Sequence, residues 1–176
     1  VGQLLVQLGT RMGATVYATT STPAKAEVAR QRGAREAILY NDGQFADAVR
    51  ELTHGRGVDV VFDPIGRPTL RDSFRATRKK GLVVNFGSVG GAVEDLNPIE
   101  LGEAGSLYLT RPRLADHLTD AGTIRRRAHD IFAGLIGGSL SIEIARHYGL
   151  DEVEQAHAEL EGRKMVGKPI LDISRE

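Results

Sequence analysis

The stretch Ala14 to Lys25, ATVYATTSTPAK, decides the fold, because it predicts a buried strand that opens into a turn and then a helix. Val16 and Tyr17 carry the β-branched and aromatic side chains that strands favour. Thr22 followed by Pro23 is typical of a helix N-cap with proline at the first helical position. The hydroxyl-rich turn between the two elements therefore lies at a helix N-terminus.

This turn can bind a phosphate-sized anion. A helix N-terminus offers free backbone N–H groups and roughly half a positive charge, and Ser21, Thr22 and Lys25 add donors and one full charge. In a sheet that binds NAD, an Asp or Glu about 20 residues after the glycine fingerprint accepts the ribose 2′-hydroxyl. No acidic residue stands between Ala14 and Ala26. The sequence therefore favours a 2′-phosphate, and hence NADP(H), while a plain helix start with a solvated Lys25 is the alternative interpretation.

The composition excludes several classes of protein. A chain of 176 residues fits one domain with a sizeable core. Lys and Arg together number 23, as do Asp and Glu, so no overall field favours nucleic acid or an anionic membrane. The absence of cysteine excludes disulfides, thiolate catalysis and zinc sites built on Cys. No apolar stretch approaches the ~20 residues of a membrane span, and we expect a cytoplasmic protein.

The remaining pattern predicts strands and helices in alternation. Helices are predicted over residues 1–12, 23–32, 45–53, around 70–74 and over 124–135. Strands are predicted over residues 14–20, 36–40, 58–62, 82–86 and 106–110. Successive βα units imply a doubly wound parallel sheet, in which ligands bind beyond the carboxyl ends of the strands. The segments expected at that edge are 19–22, 40–41, 63–66 and 87–91.

The pattern changes in the second half of the chain. Residues 92–105 lack periodicity and predict a long surface loop, and Ser106 to Thr110 predicts an edge strand that could pair with another subunit. After Gly138 we expect a strand at 140–144, a helix capped by Asp151 and a strand at 169–173. The predicted domains are therefore a nucleotide-binding domain over 1–138 and a strand-helix-strand module over 139–176.

Catalytic motifs of other enzyme classes are absent from the sequence. Gly162 to Lys168 matches the spacing of a phosphate loop, but Pro169 replaces the Ser or Thr that binds magnesium, and the segment precedes a predicted strand. Gly87 to Gly90 has the wrong spacing for a nucleophile elbow. The five histidines lack the spacing of metal ligands, so no metal is expected. No catalytic residue is assigned, which is compatible with hydride transfer, where the cofactor carries the chemistry.

Several segments of the chain match the pattern of a known family. They are Val1–Leu8, Gly13–Val16, Thr53–Asp63, Ser106–Pro112 and Ala156–His157. These segments resemble the zinc-free NADPH:quinone oxidoreductases, the zeta-crystallin-like branch of the medium-chain dehydrogenase/reductase superfamily, nearly from end to end. The resemblance implies NADPH-dependent reduction of quinones or other electrophilic alkenes. It also implies a homodimer formed through the Ser106–Thr110 edge, and a cofactor bound between the nucleotide domain and a barrel-like domain.

The resemblance also implies a set of cofactor contacts. Ser21, Thr22 and Lys25 would hold the 2′-phosphate, and Tyr40 would lie beside the adenosine. The residues that would line the dinucleotide are Ile65, Gly87, Ser88, Val89 and Gly90. The residues that would approach the nicotinamide are Pro112, Arg113 and Leu114. Arg163 would reach a phosphate of the cofactor. The glycine fingerprint of the family ends in Val-Gly, which Val1 and Gly2 match. We therefore expect the first strand of the sheet to be missing, segments 139–176 to complete a barrel-like catalytic domain, and this chain to be inactive alone.

The sequence is compatible with two other functions. An enoyl reductase module of a lipid or polyketide synthase has a similar nucleotide domain, and flanking synthase sequence would identify it. A non-enzymatic NADPH-binding protein of the crystallin type, or an RNA-associated one, is the other alternative. The zero net charge argues against strong RNA binding.

Overall fold

The structure is a computed structural model that describes residues 1–40, 44–162 and 165–173. The helices are α1 (Gly2–Arg11), α2 (Pro23–Gln31), α3 (Ala46–Leu52), α4 (Leu70–Ala76), α5 (Ile99–Glu103), α6 (Leu114–His117), α7 (Ala121–Ile136) and α8 (Val153–Glu161). The strands are β1 (Tyr17–Thr20), β2 (Glu36–Leu39), β3 (Val58–Asp63), β4 (Thr77–Asn85), β5 (Tyr108–Thr110), β6 (Ile144–Gly149) and β7 (Lys168–Asp172).

Every strand pair within the described ranges is parallel, which confirms the predicted α/β fold. β1 pairs with β2, β4 lies between β3 and β5, and β6 pairs with β7. Thr20 lies opposite Leu39 at the end of the first pair, and Asp63 lies opposite Asn85 in the second sheet. The segments that follow these strands therefore leave each sheet at one common edge, where an open α/β sheet binds its ligands.

The first five strands form two separate hydrogen-bonded sheets. β1 bonds only to β2 and β3 only to β4 in the described part of the chain, so each keeps one unpaired edge. A shared apolar cluster nevertheless joins the two sheets, since Ile38 of β2, Val49 of α3 and Val61 of β3 belong to it. This arrangement agrees with the expectation of a Rossmann-type sheet that lacks its first, central strand.

Two further apolar clusters complete the core. Val6 of α1 packs with alanines of α2 and β2, and Val16 and Ala18 pack against them. Leu70 and Phe74 of α4 pack with Val83 of β4 and Leu107. The opposite face of β3 is less covered, because Val60 and Phe62 remain 40% and 52% exposed.

The predicted surface loop over residues 92–105 was partly wrong, because it contains helix α5. Pro98 is the N-cap of this helix, and Asn97 before it accepts a hydrogen bond from the Ile99 amide through its Oδ1 at 3.0 Å. Leu101 and Ala104 then pack against the cluster around Phe74. A helix of five residues is too short to show the periodicity on which sequence prediction depends.

The strand predicted over residues 140–144 was also wrong, since β6 begins only at Ile144. Leu140 is 3% exposed, and its amide bonds to Gly134 rather than to a strand partner. The amide of Ser141 bonds to Gln7. Asp151 does not cap a helix, because it lies in a 3-10 turn over Leu150–Glu152 that precedes α8.

Candidate functional site

The N-terminus of α2 is built as the sequence predicts. Thr22 is the N-cap in an extended conformation, and its Oγ1 accepts a hydrogen bond from the Lys25 amide at 3.3 Å. Pro23 follows as the first helical residue. Ser21 and Thr22 are exposed, so their hydroxyl groups face solvent at the end of β1.

Tyr40 lies at the same edge as this turn. Its amide donates to the carbonyl oxygen of Thr20 at 3.0 Å, which continues the β1–β2 pairing beyond both strands. Its ring meets Phe45 edge to face, with the centroids 5.9 Å apart. The structure thus brings together the turn after β1 and the aromatic residue after β2.

The segments after β3 and β4 form a second group, in which two loops are bonded to each other. The Val89 amide donates to the carbonyl oxygen of Pro64 at 3.2 Å, and the Gly90 amide donates to that of Ile65 at 2.8 Å. Asn85 strengthens the junction, because its side-chain amide donates to the carbonyl oxygen of Asp63 at 3.2 Å. Five of the predicted cofactor contacts belong to this loop pair: Ile65, Gly87, Ser88, Val89 and Gly90.

Two glycines make this close approach of the loops possible. A Cβ atom on Gly87 would lie 2.3 Å from the carbonyl oxygen of Pro64, and one on Gly66 would lie 2.6 Å from that of Gly91. Gly66 also has a φ of +93°, in the region that only glycine adopts readily. The backbone of both loops is therefore fixed at a distance that side chains would prevent.

Asp63 anchors the loop pair, and sequence reasoning missed this role. Its side chain is buried, with 3% of the residue exposed. Its Oδ1 accepts from the amides of Ile65 at 2.8 Å and Gly66 at 3.1 Å. The hydroxyl groups of Thr69 and Ser73 also donate to this carboxylate, each at 2.9 Å. The signal in the sequence is an acidic residue at a strand end, followed by Pro-Ile-Gly and then by hydroxyl residues in the next helix.

The other predicted contacts lie at the remaining strand and helix ends. Val1 and Gly2 begin α1, whose first turn has no side-chain cap, and a Cβ atom on Gly2 would meet nothing within 4 Å. Pro112 and Arg113 follow β5, and Leu114 begins α6 with 72% of its surface exposed. Arg163 lies outside the described residues.

The fold and the geometry of this site identify the class of protein. A capped helix N-terminus after β1 and two hydrogen-bonded, glycine-containing loops after β3 and β4 lie at the carboxyl ends of parallel strands, as in a nucleotide-binding domain of the Rossmann type. The sequence profile of the zinc-binding dehydrogenases matches residues 1–118, and the chain belongs to that family.

Individual relatives agree with the family assignment. The chain is 36% identical over 172 residues to a 2-haloacrylate reductase of Burkholderia sp. and 36% identical over 171 residues to a quinone oxidoreductase of Pseudomonas aeruginosa. These matches cover 97% of the chain but 52% and 53% of the two relatives, so the chain spans about half their length. The Escherichia coli quinone oxidoreductase, solved in complex with NADPH, superposes with a TM-score of 0.93 at 32% identity, covering 98% of this chain and 54% of that one.

A more distant group of relatives consists of large synthases. A highly reducing polyketide synthase of Aspergillus luteorubrus is 29% identical over 188 residues, which cover 98% of the chain and 6% of the synthase. The nucleotide domain therefore also occurs inside multidomain enzymes.

The residues do not fit the zinc that the family name implies. The described part of the chain holds no group of three His, Cys, Asp or Glu that could bind a metal ion, and the sequence contains no cysteine. No helix in the described ranges is long and apolar enough to cross a membrane.

The residues do fit a dinucleotide. Ser21 and Thr22 expose hydroxyl-bearing side chains at the start of α2, and Lys25 lies in the first turn of that helix. Helix N-termini of this kind bind phosphate groups.

Proposed function

We propose that the protein is an NADPH-dependent reductase of quinones or other electrophilic alkenes, and that this chain supplies its cofactor-binding part. The observation that carries the proposal is the hydroxyl- and ammonium-bearing N-terminus of α2, which takes the place of an acidic residue at the end of β1. A relative solved with NADPH and relatives named for quinones and 2-haloacrylate support it.

Each part of the site then has a role. Ser21, Thr22 and Lys25 bind the 2′-phosphate, and Tyr40 lies beside the adenosine. The backbone amides at the start of α1, from Gly2 onward, bind the pyrophosphate. Further contacts of the dinucleotide are Val1, Ile65, Gly87, Ser88, Val89, Gly90, Pro112, Arg113, Leu114 and Arg163.

The cofactor supplies the chemistry and the protein supplies its placement. NADPH, when bound, provides a hydride from C4 of its nicotinamide to an electrophilic carbon or to a quinone. The bonded loops after β3 and β4 hold a rigid backbone surface for the dinucleotide. We assign no acid or base among the described residues, and we propose that the enzyme works without zinc.

We also propose a homodimer and a second module. β5 is the last strand of its sheet in the described residues, so its free edge can pair with another subunit. Residues 139–176 would pack on a barrel-like catalytic domain. A cytoplasmic location stays a prediction from composition.

An enoyl reductase module of a polyketide synthase is the second candidate function. The match to a polyketide synthase over 98% of the chain favours it. The sequence flanking the chain distinguishes the two candidates, because a synthase module is preceded or followed by other synthase domains.

The proposed activity is tested directly by measuring whether the full-length protein reduces these two classes of substrate with NADPH. NADPH oxidation is followed by absorbance with a benzoquinone and, separately, with an α,β-unsaturated acid. We expect oxidation that depends on at least one of the two substrates and is faster with NADPH than with NADH. Substrate-independent oxidation, or none with either class, would refute the proposed activity.

A further inference from the structure

Asp63 combines deep burial with a set of neutral partners. Only 3% of the residue is exposed. In the described part of the chain, the hydrogen bonds to its carboxylate come from two backbone amides and two hydroxyl groups. A carboxylate is costly to bury, and burial is tolerated here because several donors satisfy it.

The partners of Asp63 lie on two different elements. Ile65 and Gly66 belong to the loop that follows β3, whereas Thr69 and Ser73 lie at the start and in the middle of α4. One carboxylate therefore fixes the position of the loop relative to the helix.

The hydrogen bonds of Asp63 also influence the position of the loop after β4. The carbonyl oxygen of Ile65, whose amide is held by Asp63, accepts the hydrogen bond from the Gly90 amide at 2.8 Å. The N–H group of the same peptide, that of Gly66, donates to Asp63 at 3.1 Å, so a rotation of the peptide between Ile65 and Gly66 would move both of the loops that we propose to line the dinucleotide.

We propose that Asp63 is a positioning residue, which holds the two loops after β3 and β4 in the geometry that receives NADPH. This inference rests on the proposed function, and it assigns Asp63 no contact with the cofactor. A displacement of about 1 Å in a site of this kind can change a rate by about 10²-fold. Small movements of these loops are therefore sufficient to impair binding and hydride transfer.

A pair of threonine variants separates positioning from stability. Thr69→Val removes a hydroxyl that donates to Asp63. Thr77→Val removes an equally buried hydroxyl at the other end of α4, where it donates to the carbonyl oxygen of Ser73 at 2.7 Å. Both variants lose a buried hydrogen bond, so both are expected to have a lower melting temperature, but only the first disturbs the carboxylate.

Two measurements are made on each variant of the full-length protein. Hydrogen–deuterium exchange without cofactor reports on the amides of Ile65, Gly66 and Gly90, and fluorescence titration gives the Kd for NADPH. We expect Thr69→Val to exchange faster at these amides and to raise the Kd about tenfold, because NADPH must then order loops that are already ordered in the wild-type protein. Thr77→Val should leave the exchange at these amides and the Kd unchanged.

Substitutions of Asp63 itself provide a graded check. Asp63→Asn keeps an oxygen that can accept from Ile65 and Gly66, and its amide can donate to the Ser73 hydroxyl, so it should retain most of the protection and affinity. Asp63→Ala should lose both the protection of these amides from exchange and the affinity for NADPH. Equal exchange and equal Kd for the Thr69 and Thr77 variants would overturn the positioning role. If the wild-type protein fails to bind NADPH, the proposed function fails, while the exchange data still decide whether Asp63 holds the loops.

Discussion

Gln7 binds the backbone of Ser141 through both ends of its side-chain amide. Its Oε1 accepts from the Ser141 amide at 2.8 Å, and its Nε2 donates to the Ser141 carbonyl oxygen at 2.9 Å. The two residues are 134 positions apart, and Gln7 is 8% exposed. Arg32 also donates to Glu143, at 3.0 Å. The segment that leads into β6 is thus attached to α1 and α2.

Replacing Gln7 with alanine should release this segment from α1. The change leaves the amide and the carbonyl of Ser141 without their partner, so the free energy of unfolding should fall by about 1–3 kcal/mol. Thermal unfolding gives the loss, and hydrogen exchange over residues 139–143 locates it. Gln31→Ala is the control, because Gln31 is exposed and bonds only to Glu27 in the described part of the chain. Equal effects of the two variants would contradict the role of Gln7.

Asp59 should make the stability of the protein depend on pH in the acid range. Hydrogen bonds from Arg56 and then Arg78 lower the pKa of Asp59 from 3.8 to about 2. A carboxyl group with a lower pKa in the folded state adds stability above its unfolded pKa, and this contribution is lost as the pH falls through the folded pKa. The window therefore runs from pH 3.8 down to about 2.

The variant Asp59→Asn tests this dependence. Wild type should be the more stable protein at pH 5, and the difference in melting temperature should shrink as the pH approaches 2. The difference should also be smaller in high salt, because the side chain of Asp59 is 57% exposed and its ion pairs are screened. A difference that stays constant from pH 5 to pH 2 would argue against the ion pairs as its source.

A charge on the free edge of β5 should prevent the proposed dimer. Tyr108 is 65% exposed on this strand, so Tyr108→Lys adds an edge charge without disturbing the core. Sedimentation velocity of the full-length protein should show monomers for Tyr108→Lys.

Phe132→Lys is the matched control for the dimer experiment. Phe132 is 60% exposed, but it lies on α7 and not on the sheet edge. Its variant should sediment like wild type. A dimer that survives the change at Tyr108 would exclude this edge as the interface.

Local patterns in the sequence were sufficient to predict most helices and the parallel fold. Thr22 and Pro23 start α2 where expected, because both N-capping and the fixed φ of proline act within one turn. The apolar stripe of α1 and the apolar run around Val83 likewise depend on near neighbours.

Features that depend on distant partners could not be predicted. Ser141 lies outside a strand because Gln7, far away in the sequence, binds its backbone. The anchoring role of Asp63 requires that Thr69 and Ser73 point back at the strand end, which a linear pattern does not show. The turn at Ser21 and the glycine loop at Gly87 were found, because each contains its own chemical signal.

The most direct test of the account compares the Kd values of NADPH and NADH for wild-type protein and the Lys25→Ala variant. The central claim is that Lys25, with the hydroxyl groups of Ser21 and Thr22, binds the 2′-phosphate that only NADPH carries. We expect the variant to lose about tenfold or more in affinity for NADPH, since a charge-assisted hydrogen bond is removed, and to bind NADH as wild type does. An equal loss for both dinucleotides, or no loss for NADPH, would contradict the claim.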